Sequence, residues 1–485
     1  MNDNSLSDLK AYQPSVVTCF NNSEFSNFLD NLFKNSTPRY ATFSFPIQSI
    51  DPLAYLEMCW KKETFQYYWE KPTDEFAIAA GNEITSITAT GSERFSVINK
   101  KIKTIRQNTA EFSAISHPYS GLFLLGGFSF FDKNYDELWE DFPPASFTLP
   151  EWMIIKDGKF TVATFAVDLN TFSAAKQLYD YITDQLEDLK TTLEQKSPAG
   201  NPAQNGEPST APLPKQKSDY QKWSDSVNEA KNLISKNTFE KIVLARSIKV
   251  SKNTEFSPTQ VVNNLRKQYT NCYNFLIHKP TGNTFLGSTP ERLISARNKL
   301  LLTEALAGSI ERGNTATEDA FLEKKLSGNG KDQNEHNFVI QDIEERLEPF
   351  VKELNRSATP EIKKLSNVQH LYTPIRAQLN DESNIFDVLG QLHPTPAVGG
   401  YPWQKAAPYI KDLEHFERGR YAGPVGWINS KGNMEFAVAI RSALCTKDYA
   451  YLFAGCGIVK DSDPATEWEE TNLKLKPMLS ALQYD

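Results

Sequence analysis

Residues 239–246 read FEKIVLAR. Ile242, Val243 and Leu244 run together with β-branched residues leading, the pattern of a buried strand. Yet the strand opens on Lys241 and closes on Arg246. A lysine at a strand end is ordinarily a snorkelling residue, its stem packed and its ammonium in water. The alternative is a lysine held in a cleft, with its pKa lowered so that it works as a base. The segments on either side decide between the two.

The chain has 485 residues, 40% hydrophobic and 23% charged, the balance of a soluble protein with a large core. Length alone suggests about three domains. The net charge of -8 offers no basic footprint for nucleic acid. An anionic substrate therefore needs local cations acting against the overall field. The five cysteines, Cys19, Cys59, Cys272, Cys445 and Cys456, form no CxxC, which suggests reduced thiols rather than a disulfide framework or a zinc site. Cys456, between two glycines, reads as a small packing residue. The opening residues, MNDNSLSDLK, are polar, and the longest apolar run, GLFLLGGFSFF (residues 121–131), is too short to cross a bilayer. The expectation is a cytoplasmic protein without a membrane segment.

Residues 196–217, KSPAGNPAQNGEPSTAPLPKQK, hold one large apolar side chain, Leu213, among Pro, Gly, Ser, Asn and Gln. That composition predicts a flexible linker or loop. Before it, Leu178, Ile182, Leu186, Leu189 and Leu193 recur at helical spacing. After it, Tyr220, Trp223, Val227, Ala230 and Ile234 do the same, with Ser218 as a candidate cap. The linker thus divides an N-terminal part, 1–195, from a C-terminal part, 218–485. Both parts mix strand candidates (RYATFSF, TFQYYWE, EFAIAA; then KIVLAR, NFLIHK, NTFLGS, KLLLTEAL, GWIN, MEFAVAI, YLFAGCG) with helices, among them 332–352 and 467–482. No regular βαβ spacing emerges, which argues an α+β fold.

Several clusters could carry chemistry. Asp332 and Glu335 fall three apart on one helix; Glu467 and Glu470 do so on another, with Lys474 a turn beyond. Two such pairs could meet around a hard cation such as Mg²⁺, or each could be a solvated helix face. Arg441 closes the apolar strand MEFAVAIR, where an arginine wants a carboxylate partner, from a ligand or from the protein itself. In AGCG, Gly455 and Gly457 let backbone N–H groups approach an anion. Glu291, in TPERL, could donate a proton if burial raised its pKa. The stiff stretch HPTPAVGGYP (residues 393–402) reads as a cleft wall carrying His393, a site histidine or equally a hydrogen-bonded structural one. GNGKD is no phosphate loop, since Asp332 stands where Ser or Thr belongs, and AGCGIVK lacks the third glycine of GxGxxG.

Taken in order, KIVLAR, GSTPERL, TEALAGS, KDQNEH, HPTPAVGGYP, YAGPVGW, AIR, AGCGIV and EWEETNLKLK resemble the chorismate-utilising enzymes, over residues 219–482. That family includes anthranilate, aminodeoxychorismate, isochorismate and salicylate synthases. The resemblance implies one large α+β domain of two packed antiparallel β-sheets surrounded by helices, with the site in a cleft. It also implies a branch. Aminating synthases carry a non-basic residue at the position of Lys241, whereas the enzymes that add water carry Lys. The aminodeoxychorismate branch often has a Lys where this chain has Ala307, and salicylate synthases tend to have a Thr where it has Ala397. These positions imply the isochorismate-forming branch, Mg²⁺-dependent, serving menaquinone or a catecholate siderophore. Salicylate formation, which adds pyruvate elimination, is the alternative.

By the same resemblance, Lys241 is the base that takes a proton from water, and Glu291 the acid that protonates the leaving hydroxyl. Glu335 and Glu470, supported by Asp332 and Glu467, hold Mg²⁺. Arg441 and Tyr421 grip the enolpyruvyl carboxylate. Gly455, Gly457 and Lys474 complete the anion pocket, with Gly308, Ser309, His393 and Ala397 nearby. Chorismate is the expected small-molecule partner. No glutamine amidotransferase is expected, and the chain is expected to be a monomer.

Overall fold

The computed structural model describes residues 17, 22–34, 38–194, 217–251, 256–364 and 368–482. FEKIVLAR forms the start of the strand Lys241–Ser251, in continuous antiparallel register with Tyr449–Ile458. Outward from this pair runs a twelve-stranded sheet. Its order is Gly400–Tyr401, Lys241–Ser251, Tyr449–Ile458, Ser442–Cys445, Thr284–Thr289, Tyr273–His278, Gln66–Lys71, Phe76–Gly81, Trp152–Asp157, Phe160–Asp168, Tyr40–Pro46 and Thr109–Ser113. Only the last pair is parallel. A second, antiparallel sheet runs from Val351–Arg356 through Val368–Leu379, Leu300–Glu311, Arg292–Arg297, Met434–Val438, Pro424–Asn429, Phe123–Phe128 and Ala145–Leu149 to Thr85–Ala89.

Each sheet draws strands from both sides of the 196–217 segment. Gln66–Lys71 pairs with Tyr273–His278 in the larger sheet, and Phe123–Phe128 with Pro424–Asn429 in the smaller. Residues 1–195 and 218–485 are therefore interleaved in one α+β unit, not the three domains that length suggests. The proposed linker lies outside the described residues except at Lys217, where the helix Lys217–Ser235 starts. Ser218 is thus inside that helix, not its cap. The helix expected over 332–352 is Gly330–Leu347. Pro349 follows, cannot donate to a helix ladder, and the chain turns into the strand Val351–Arg356.

The sheets pack face to face. The Tyr67 hydroxyl donates to the Gly426 carbonyl at 3.0 Å, and Phe76 meets Trp427 with ring centroids 5.6 Å apart. Helices Asn22–Lys34, Ala175–Glu194, Pro258–Gln268 and Pro464–Ala481 cover the outer face of the larger sheet and build a second core. The leucines read at helical spacing supply it: Leu178, Leu186 and Leu189 are fully buried, each contributing about 2 kcal/mol. The run GLFLLGGFSFF yields the buried strand Phe123–Phe128. Among the described residues no helix is long and apolar enough to cross a membrane, and Cys59, Cys272, Cys445 and Cys456 are free thiols.

Two features of this topology position the site. The chain passes from the larger to the smaller sheet at Pro290 and Glu291, between Thr284–Thr289 and Arg292–Arg297, and returns through Arg441, between Met434–Val438 and Ser442–Cys445. The two crossings are stitched together: Val438 N donates to Glu291 O and Ser288 N to Arg441 O, each at 3.0 Å. The HPTPAVGGYP wall, expected to be irregular, ends in a short strand, Gly400–Tyr401, against Lys241 and Ile242. Gly400 has φ +139°, and a Cβ there would lie 2.6 Å from the Lys241 carbonyl, so only glycine allows this approach.

Candidate active site

A cavity of about 130 Å³ opens where the sheets diverge. The larger sheet contributes Lys241, Val243, Gly455 and Gly457, and the smaller contributes Leu306, Ala307, Gly308, Ser309 and His370. Helix Gly330–Leu347 adds Glu335, and Pro464–Ala481 adds Glu470 and Lys474. Connecting segments bring Glu291, Ala397, Arg418, Tyr421 and Arg441.

Alternation along the strand turns Lys241 and Val243 into the cavity, while Ile242 and Leu244 join the core. Lys241 Nζ donates to Glu335 Oε1 at 2.5 Å. Opposite it, a Cβ on Gly457 would sit 2.7 Å from Lys241 Cε, so the missing side chain makes room for the lysine. Gly455 does the same for Tyr421, whose hydroxyl would lie 3.2 Å from an added Cβ. Lys474 Nζ donates to Glu470 Oε1 at 2.6 Å and to the Gly455 carbonyl at 2.9 Å.

The crossings supply an acid and a cation. Glu291 is 6% exposed, and Thr395 Oγ1 donates to its Oε1 at 3.3 Å. Burial, and next the charge of Glu304, push its carboxyl up to about 7, against Thr395, Lys363 and Lys474. At neutral pH it therefore holds a proton in a large fraction of molecules. Arg441 is 8% exposed with φ +51°, and among the described residues its guanidinium has no hydrogen-bond or carboxylate partner. Burial pulls its pKa down. A buried unpaired cation facing a cavity is an anion receptor with its ligand missing from the protein side.

On the smaller sheet, Gly308 occupies a bulge at φ +73°. A Cβ there would come within 3.1 Å of Asp332 Cβ. Beyond the bulge, a 2.7 Å hydrogen bond joins Ser309 Oγ and His370 Nδ1.

Three expected site residues stand off the cavity. His393 Nε2–H donates to the Phe130 carbonyl at 3.0 Å, its ring packs edge-on against Phe130, and burial drives its pKa down to about 3. It is a neutral packing histidine, and Thr395, two residues on, is the polar group that the wall offers Glu291. Asp332 packs behind Gly308. Glu467 lies behind Glu470, and burial pushes its carboxyl up, with Glu470 adding to the effect. Cys456 is buried with its thiol pushed up, which suits packing rather than nucleophilic attack.

Sequence reading missed His370 and Arg418. His370 is buried beside the buried Gln369 in the strand Val368–Leu379, and two polar residues in succession gave no signal that singled it out. Its Nε2 has no partner among the described residues, and burial, then Arg441, pull its pKa down to about 3. Arg418 pairs with Glu414 at 2.6 Å and donates to the Val398 and Val243 carbonyls, both at 2.8 Å. It ties the wall to the Lys241 strand. The (i, i+4) spacing of Glu414 and Arg418 was its signal.

The donors available for a metal are carboxylate oxygens, which suit a hard cation. Among the described residues no three His, Cys, Asp or Glu side chains gather into a complete cage. Glu335 and Glu470 line the one cavity and would supply two ligands, leaving water and substrate to complete the shell, as Mg²⁺ commonly requires. The residues fit that ion.

One cavity thus gathers a buried carboxyl held partly protonated, a lysine, and an arginine without an ion-pair partner among the described residues, which suits an anionic ligand. The chain belongs to the chorismate-binding enzyme family, whose sequence model matches residues 27–483. It is 36% identical over 447 residues to a salicylate biosynthesis isochorismate synthase of Pseudomonas aeruginosa, covering 92% of this chain and 90% of that one. It is 33% identical over 448 residues to the isochorismate synthase MenF of Bacillus subtilis, covering 91% and 93%. The structure of MenF, the menaquinone-specific isochorismate synthase from Escherichia coli, superposes with a TM-score of 0.74 at 26% identity, covering 95% of this chain and 99% of that one.

Proposed function

We propose that this chain converts chorismate to isochorismate, with Mg²⁺, by adding water at C2 and expelling the C4 hydroxyl. The observation that carries the reading is the pairing in one cavity of Lys241 with Glu291, a buried acid whose carboxyl sits near 7. Lys241, as the general base, takes a proton from the attacking water. The new C2–O bond shifts the ring double bonds, and the C4–O bond breaks. Glu291 gives its proton to the departing oxygen, which leaves as water. Solvent then returns the proton from Lys241 to Glu291. Arg441, with Tyr421 and Lys474 beside it, holds the substrate carboxylates. Glu335 and Glu470 would hold the metal, with Asp332 and Glu467 behind them. When bound, Mg²⁺ would anchor the ring carboxylate and offset its charge.

We also infer a cytoplasmic monomer acting without an amidotransferase, because a lysine at the water-activating position leaves no use for ammonia. The Escherichia coli structure, described as that of a menaquinone-specific isochorismate synthase, favours menaquinone synthesis as the destination. The test is chromatography of products from chorismate and Mg²⁺, with and without ammonium. Isochorismate alone, indifferent to ammonium, supports the reading. Salicylate moves the chain to the pyruvate-eliminating branch, and an aminated product overturns the role given to Lys241.

A further inference from the structure

Glu304 is buried at 6% exposure on the strand Leu300–Glu311, outside the substrate cavity. Its Oε1 accepts from the Arg292 backbone N–H at 3.0 Å and from Lys363 Nζ at 2.8 Å. The same Lys363 ammonium donates to the Pro290 carbonyl at 3.0 Å and lies 5.0 Å from the Tyr372 ring centre. Pro290 and Arg292 flank Glu291. One ion pair therefore grips the backbone on both sides of the proton donor, at the crossing between the sheets.

We propose that the Glu304–Lys363 ion pair is the positioning device for the general acid: it clips the chain around Glu291 and sets the charge that Glu291 faces. The inference rests on the acid role proposed for Glu291. An ion pair that only registered two strands would not need to bond either side of one residue. Burying the Glu304 carboxylate against a half-buried lysine is also a costly way to gain stability, so its placement calls for another use. The groups facing Glu291 are Glu304 from Leu300–Glu311, Lys363 from Glu361–Lys364, Thr395 from the wall and Lys474 from Pro464–Ala481; Lys241, Glu335, His370 and Arg441 share its cavity. Of these, Glu304 is the negative charge that holds the proton on, and Lys363 moderates it.

The experiment is the pH dependence of kcat for isochorismate formation in wild type, Glu304→Gln, Lys363→Met and Lys363→Arg. Glutamine still accepts the Arg292 N–H but lacks the charge. Its alkaline limb should fall about one unit lower in pH, so that kcat drops roughly tenfold below wild type at pH 8 but only about twofold at pH 6. Lys363→Met should move that limb the other way, and Lys363→Arg should restore it. Should Glu304→Gln fail to fold, the two Lys363 variants carry the test. Unshifted limbs with a uniformly lower kcat would leave the pair a merely structural role and overturn the inference. Absence of isochorismate from wild type would instead fell the functional reading, a distinct result.

Discussion

Lys241 Nζ and Glu335 Oε1 are 2.5 Å apart, joining the first residue of a strand to the middle of a helix across the cavity mouth. The proposed base and a proposed metal ligand thus hold each other in the free protein. A cation taking up Glu335 would compete directly with the lysine for that carboxylate. Lys241→Ala is expected to lower kcat by about a hundred- to ten-thousand-fold, the usual worth of a positioned proton acceptor, while melting stays near that of wild type. Gly457→Ala should mimic it, because the added methyl takes the space of Lys241 Cε. Steady-state rates beside thermal unfolding of both variants check this, and near-normal turnover of Lys241→Ala would remove Lys241 from the chemistry.

Glu335→Gln separates the metal from the base. It keeps a side chain that can bond Lys241 but loses the charge a cation needs. The Mg²⁺ concentration for half-maximal rate should rise about tenfold or more, with the chorismate KM at saturating Mg²⁺ changing far less. A magnesium titration that overlays wild type would show that the ion, if used, sits elsewhere.

What could be read from sequence was the local chemistry, and what could not was which groups burial brings together. KIVLAR and YLFAGCG announce strands because their apolar runs end in glycine or charge, and both form and pair with each other. Arg441 was legible as a cation after an apolar run, although the strand stops at Val438 and Arg441 falls in the crossing rather than closing the strand. His393 stayed open between site and structure because a histidine beside prolines suits either, and its packing depends on a carbonyl 263 residues away. His370 and Glu304 sit inside strands that bury polar as well as apolar groups, Gln369 and Thr373 on the one and Thr303 on the other, and nothing local says which neighbour each will meet. The alternation of sheets at Glu291 and Arg441 is a long-range fact of topology, invisible until both crossings are seen to hydrogen-bond.

Arg441 offers a test in which function and stability move apart. Among the described residues its buried guanidinium has no hydrogen-bond or ion-pair partner, so the folded protein bears a desolvation cost that a bound anion would offset. Arg441→Met should raise the chorismate KM about thirtyfold, the worth of about 2 kcal/mol of charged hydrogen bonding. Its unliganded melting temperature should equal or exceed that of wild type. A clear drop in melting temperature with an unchanged KM would mark the arginine as structural.

Glu291 links catalysis to the pH dependence of folding. Its carboxyl rises from 4.5 to about 7 on folding, chiefly through burial. Below pH 4.5 both the folded and unfolded forms are protonated, and the group costs the fold nothing by titration. Between 4.5 and 7 the unfolded chain releases a proton that the folded chain keeps, so stability falls as pH rises, by on the order of 3 kcal/mol in all. Glu291→Gln cannot titrate and should lack that slope. Urea unfolding at pH 5 and pH 8 should show the variant gaining on wild type by roughly that amount, while its turnover drops about a hundredfold or more. Parallel stability curves would mean that Glu291 is already ionised in the fold, and a carboxylate without its proton could not serve as the acid.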